Sequence, residues 1–141
     1  MKNYIYIIIL MFWGFSFSQS KKEKIYLLFE PNNSEKFEIE DGSGNILNIN
    51  KYRKKTTKNY TTFYILEESF VLDKKDKIDT CSIKHINKIK FETLQTIKNK
   101  RKILKSEYFF KNSIFKKIYL IERFKDKIIK YPVIWNTDLI K

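Results

Sequence analysis

Residues 36–50 read Lys-Phe-Glu-Ile-Glu-Asp-Gly-Ser-Gly-Asn-Ile-Leu-Asn-Ile-Asn. Up to Glu40 apolar and polar residues alternate. Phe37 and Ile39 therefore point one way and Lys36, Glu38 and Glu40 the other, which is the period of a β-strand. Asp41-Gly42-Ser43-Gly44-Asn45 then interrupts the pattern, and its two glycines tolerate the positive φ of a tight turn. Leu47 and Ile49 resume the alternation. The stretch predicts a β-hairpin with Phe37 and Ile39 turned toward a core.

The surrounding sequence continues in the same period. Residues 24–30 alternate Ile25, Leu27 and Phe29 with Lys24, Tyr26 and Leu28, a mostly buried strand stopped by Pro31-Asn32-Asn33-Ser34. Residues 51–59 read as a polar loop, and residues 60–66 as a strand. Phe70, Val71 and Leu72 suit a short strand or a buried corner, and the charged residues 73–79 an exposed loop. Near the C-terminus, residues 117–122, a turn at 123–126 and residues 127–135 form a second hairpin. Ile129, Tyr131, Val133 and Trp135 share one face there. Pro132 cannot donate to a ladder, so its strand is expected at an edge or bent at that point.

Between the hairpins the period changes. Ile83, Ile86, Leu94, Ile97 and Leu104 fall on one helical stripe, with Thr80 or Ser82 available as a cap. The rival reading takes residues 83–91 as a strand. The helical reading gives an α+β fold: a small antiparallel β-sheet of five to seven strands, with two hairpins and one main amphipathic helix packed on a face.

The first twenty residues stand apart. Lys2 is followed by an apolar run at residues 4–15 and then by Ser16-Phe17-Ser18-Gln19-Ser20, the pattern of a secretory signal peptide cleaved after Ser18 or Ser20. The run is shorter than the roughly 20 residues a bilayer-spanning helix needs. Neither cleavage point leaves a cysteine for lipid attachment. The expectation is a cleaved signal at 1–20, then a single α+β domain at 21–141, periplasmic or secreted.

The chain of 141 residues carries 29 Lys and Arg against 16 Asp and Glu, a net charge of +13. The excess is lopsided. Residues 21–79 hold 12 basic and 11 acidic residues, whereas residues 80–141 hold 16 and 5, a net of +11. Nearly all are Lys, a solvated point charge, and only Arg53, Arg101 and Arg123 offer a bidentate fork. The absence of Ala and the abundance of Lys, Ile, Asn, Phe and Tyr follow A/T-rich codons. A solvated Lys-rich face is therefore the plain alternative to a binding surface. Read as function, the asymmetry points to an anionic partner: an acidic protein, a membrane surface of lipid headgroups or an acidic glycan. The candidate contacts are Lys98, Lys100, Arg101, Lys102 and Lys105 on the helix, with Lys116 and Lys117. Lysines and aromatics also interleave at 108–119, but export argues against a nucleic-acid partner.

Chemistry-bearing patterns are sparse. Cys81 is the single cysteine, so no intramolecular disulfide can form. On a helix, Cys81 and His85 would lie one turn apart, the arrangement of a weak candidate thiol–imidazole pair. No thiol-hydrolase signature flanks them, and a cysteine packed as a small apolar group is the competing reading. A mixed metal site from these two with Asp76 and Asp79 lacks the usual ligand set, so neither a metal nor a cofactor is expected. Three readings follow. The first is a non-catalytic binding domain for an anionic partner. The second is an exported inhibitor or immunity-type protein acting through surface shape. The third is a thiol enzyme using Cys81 and His85.

Overall fold

The computed structural model describes residues 23–107, 115 and 117–136; side chains from 104 to 107 lie outside that description. The expected signal peptide, residues 108–114 and Lys116 lie outside it too. The described residues form nine strands: β1 (Lys24–Phe29), β2 (Lys36–Glu40), β3 (Ile46–Asn50), β4 (Tyr52–Thr56), β5 (Tyr60–Ile65), β6 (Glu68–Asp73), β7 (Asp79–Ser82), β8 (Lys117–Phe124) and β9 (Lys127–Trp135). A 3-10 helix covers Ile83–Lys88, and helix α1 covers Leu94–Glu107. The architecture is mainly antiparallel β-sheet with few helices, α+β in the coarse sense expected.

Seven strands join in the order β1-β8-β9-β6-β5-β4, with β7 also paired to β9. Among the described strand pairs only β1–β8 is parallel. The two ends of this order come together. The Phe29 ring of β1 meets the Tyr52 ring of β4 edge-on at 5.7 Å and the Phe63 ring of β5 at 5.1 Å. The sheet thus curls over its own inner face. Ile25, Leu27, Phe29, Phe63, Phe70, Leu120, Tyr131 and Val133 fill that face, with Ile97 of α1 buried among them. Ile121 and Ile128, one residue out of phase, are fully buried on the opposite face.

β9 is a central strand. Its first half pairs with β7, from Lys127↔Ser82 to Lys130↔Asp79, and its end pairs with β6 through Ile134↔Val71 and Trp135↔Phe70. β8 covers its other edge from Lys127 to Val133. Pro132 falls in the gap between β7 and β6, where one edge of β9 has no neighbour. Its strand is locally an edge there, although not at the margin of the sheet.

Three expectations change. The single helix from Ile83 is absent. The chain leaves β7 at Ser82, whose Oγ accepts the Lys84 N–H at 3.4 Å to cap the 3-10 segment. It then runs extended past β1, where Glu92 donates its N–H to the Tyr26 carbonyl at 2.8 Å. That edge bond of β1 breaks the helical stripe. The α-helix starts afresh behind Thr93, whose Oγ1 accepts the Thr96 N–H at 3.1 Å. Secondly, the supposed loop at 51–59 contains β4. Tyr-Arg-Lys-Lys-Thr has little apolar character, but it pairs along β5 and lays its cationic side chains over rings. Arg53 sits 4.7 Å from the Tyr64 centroid, and the Lys54 amine 4.8 Å from that of Tyr131.

Thirdly, the β2–β3 hairpin does not join the sheet. Its register, Phe37↔Ile49 and Ile39↔Leu47, places four apolar residues on one face as expected. Yet none of them enters the core, and Ile46 and Leu47 are exposed at 66% and 44%. The turn is well specified. Asp41 accepts from the Ser43 hydroxyl at 2.6 Å and the Ser43 N–H at 2.9 Å, while Gly42 and Gly44 hold φ of +80° and +88°. The hairpin forms a two-stranded sheet of its own, an arm whose Phe37, Ile39 and Ile49 are only half-buried.

Candidate binding surface

Helix α1 carries most of the expected contacts, and the fold engages several of them. Lys98 pairs with Glu68 at 2.7 Å, and Glu68 also accepts the Trp135 indole N–H at 2.9 Å. Lys100 reaches Glu23 at 3.0 Å and Glu92 at 3.2 Å. Its pKa is raised, chiefly by the hydrogen bond to Glu23. The Arg101 guanidinium lies 5.0 Å over the Trp135 ring. These side chains dock the helix onto β1, β6 and β9. Lys102 is exposed. Lys105 belongs to the helix, and its side chain lies outside the described atoms. Lys117 opens β8, exposed, with its amine 5.6 Å from the Tyr119 ring.

Cys81 and His85 do not share a helix. Cys81 is a partly buried residue of β7 paired with Ile128, whereas His85 is exposed in the 3-10 helix. The one-turn spacing that suggested a thiol–imidazole pair therefore does not exist as a helical relation. Among the described residues no group of three or more His, Cys, Asp and Glu side chains is placed to hold a metal ion.

A different set of cations gathers where β8 turns into β9. Arg123, Phe124, Lys125 and Lys127 are all exposed, as are Lys84 and Lys88 of the 3-10 helix. The Asp126 carbonyl accepts the Ile83 N–H at 2.9 Å, which fastens the start of the 3-10 helix to the hairpin tip. None of these five cations has a carboxylate within ion-pair distance among the described residues. Two acidic residues share the neighbourhood: Asp126 in the turn itself, and Glu30, which with Arg123, Phe29, Pro31, Asn32 and Asn33 lines an open depression of about 330 Å³. Other unpaired lysines exist, but Lys74, Lys75 and Lys77 alternate with Asp73, Asp76 and Asp79. The tip joins three cations to an exposed aromatic; Tyr60, exposed at 46% near the exposed Lys55 and Lys58, instead pairs across the ladder with Asp73. The sequence held that signal as Arg-Phe-Lys-Asp-Lys at 123–127, a turn with an aromatic between cations.

Further inside lies a small polar cluster. The Tyr131 hydroxyl donates to Glu122 at 2.7 Å and accepts from the Lys54 amine at 3.3 Å, and Lys54 lies 3.6 Å from the same carboxylate oxygen. Burial first, and then the bond to Glu122, pushes the Tyr131 pKa well above the ordinary phenol value. The three side chains satisfy one another and tie β4 to β8 and β9. Their role is to pin the curled sheet.

Comparison with protein-family models, with curated proteins and with solved structures yields no match.

Proposed function

We propose that this chain is an exported, non-catalytic binding domain whose cationic surface engages an anionic partner. One observation supports the reading above the others: among the described residues the five cations of the β8–β9 tip and the 3-10 helix have no ion-pair partner, within the half of the chain that carries a net charge of +11. Lys98, Lys100, Arg101, Lys102, Lys105, Lys116 and Lys117 extend the positive field along that half. Lys98 and Lys100 contribute less to it, because each already faces a carboxylate.

Retention on an immobilised polyanion, followed through a salt gradient, tests the reading. The screening length contracts from about 10 Å at 0.1 M salt to about 3 Å at 1 M, so attraction between exposed charges should collapse across that range. Retention that is absent, or that ignores salt, sinks the proposal. Mass spectrometry of the protein's N-terminus tests export separately, since an intact Met1 in the envelope fraction would contradict cleavage.

A further inference from the structure

We infer that the β8–β9 tip is a lipid-docking element, in which Phe124 enters the headgroup region of an anionic bilayer surface and the surrounding cations engage lipid phosphates. This deepens the anionic-partner reading and rests on it. Charge alone does not separate a membrane from an acidic protein or a glycan. Phe124 favours the membrane: it is exposed at 54% at the end of a ribbon, where an apolar boundary would bury its ring. The bilayer interface offers both environments at once, an apolar boundary for the ring and negative headgroups for the cations.

The geometry suits an end-on approach. Phe124 is the last ladder residue of β8 and pairs with Lys127, so both side chains leave the same face of the ribbon. Arg123 pairs with Ile128 and leaves the other face. Lys125 turns the corner in the left-handed conformation, φ 53°, with its amine 5.7 Å from the Phe124 ring. A planar surface meeting the tip would therefore touch cations on both sides of the aromatic. Lys84 and Lys88 follow in the 3-10 helix that Asp126 fastens beside the tip. The base of the ribbon is firm, because Ile121 and Ile128 behind it are fully buried. The single acid of the turn, Asp126, and nearby Glu30 offset part of the charge but leave cations in excess.

The test uses the processed protein, its N-terminus checked by mass so that residues 4–15 cannot themselves bind lipid. Co-sedimentation is measured with phosphatidylglycerol–phosphatidylcholine vesicles, with pure phosphatidylcholine vesicles and, in parallel, by retention on heparin. The protein should partition onto the anionic vesicles and not the neutral ones. Phe124→Ser should weaken vesicle partitioning roughly five- to tenfold through lost apolar burial while leaving heparin retention unchanged. Combined Arg123→Glu, Lys125→Glu and Lys127→Glu should weaken it by roughly a hundredfold or more. Phe124→Trp gives a second readout: with the Trp135 emission of the unsubstituted protein subtracted, its fluorescence should shift to the blue with anionic vesicles. If heparin retains the protein but vesicles do not, or if Phe124→Ser changes nothing and Phe124→Trp shows no shift, lipid docking is wrong while the anionic-partner reading stands. If neither surface binds the protein, both fail.

Discussion

At the scale of single residues, hydrogen bonds decide more than composition. Asp41 is a surface carboxylate, yet bonds from Ser43 and Asn45 lower its pKa from the ordinary 3.8 to about 2. The turn's preference for the ionised form is thus fully present above pH 4 and disappears as pH falls through about 2. Carbon-detected NMR titration should find the Asp41 midpoint near 2; a midpoint near 4 would mean that the bonds to Ser43 do not persist in solution. The buried Tyr131–Glu122 bond gives the second residue-level expectation. Tyr131→Phe keeps the ring and removes one hydroxyl, leaving Glu122 with Lys54 at 3.6 Å as its remaining contact. Thermal unfolding should show a loss of about 1–2 kcal/mol, and an unchanged Tm would mean that water replaces the hydroxyl at no cost. The sequence by itself does not say which residue Glu122 meets. In the fold it lies opposite Phe29 and bonds to Tyr131, because pairing register is a property of two strands and is not written in either alone.

At the scale of elements, the quality of a local pattern and its weight in the fold separate. The β2–β3 hairpin has the clearest alternation in the chain and contributes no residue to the core. Paired substitution of Ile39→Ser and Leu47→Ser should therefore cost less than about 1 kcal/mol, within the range of surface changes. Phe63→Ala at the centre of the curled sheet should cost about 3–5 kcal/mol. Denaturant midpoints compare them directly, and a larger loss from the arm would show that its apolar face is covered in solution. Hydrogen exchange should likewise be faster in β2 and β3 than in β8 and β9, since a lone two-stranded ribbon is marginal in water. The helix makes the converse point. Its stripe reads from Ile83 to Leu104, interrupted at Lys90 and Arg101, but the chain uses Glu92 to meet β1, and Thr93 begins a new helix. Thr93→Ala should lower stability by about 1 kcal/mol. No change would move the helix start elsewhere.

Across the whole molecule, charge is distributed by pairing as much as by sequence. Lys98 and Lys100 face carboxylates, whereas among the described residues Arg123, Lys125 and Lys127 do not. Charge reversal of the last three should reduce polyanion retention more than reversal of Lys98 and Lys100, although the second pair belongs to the denser basic run. The opposite order would return the binding surface to the helix. Strand periodicity, the two turns and the lopsided charge were legible in the sequence because each is local: alternation, glycine conformation and residue counts need no partner. Residues 127–135 were readable to their ends for that reason. The expected signal at residues 1–20 is a reading of the same local kind. Other features were settled only by long-range pairing. Tyr52–Thr56 became a strand because β5 offered it an edge, Pro132 found a place inside the sheet because β7 and β6 leave a gap, and the best hairpin became an arm because no core surface met it. The start of the 3-10 helix came beside the cations of the tip only when β7, β8 and β9 paired. A sequence states what each segment prefers; which surfaces and charges remain unused depends on contacts between segments far apart in the chain.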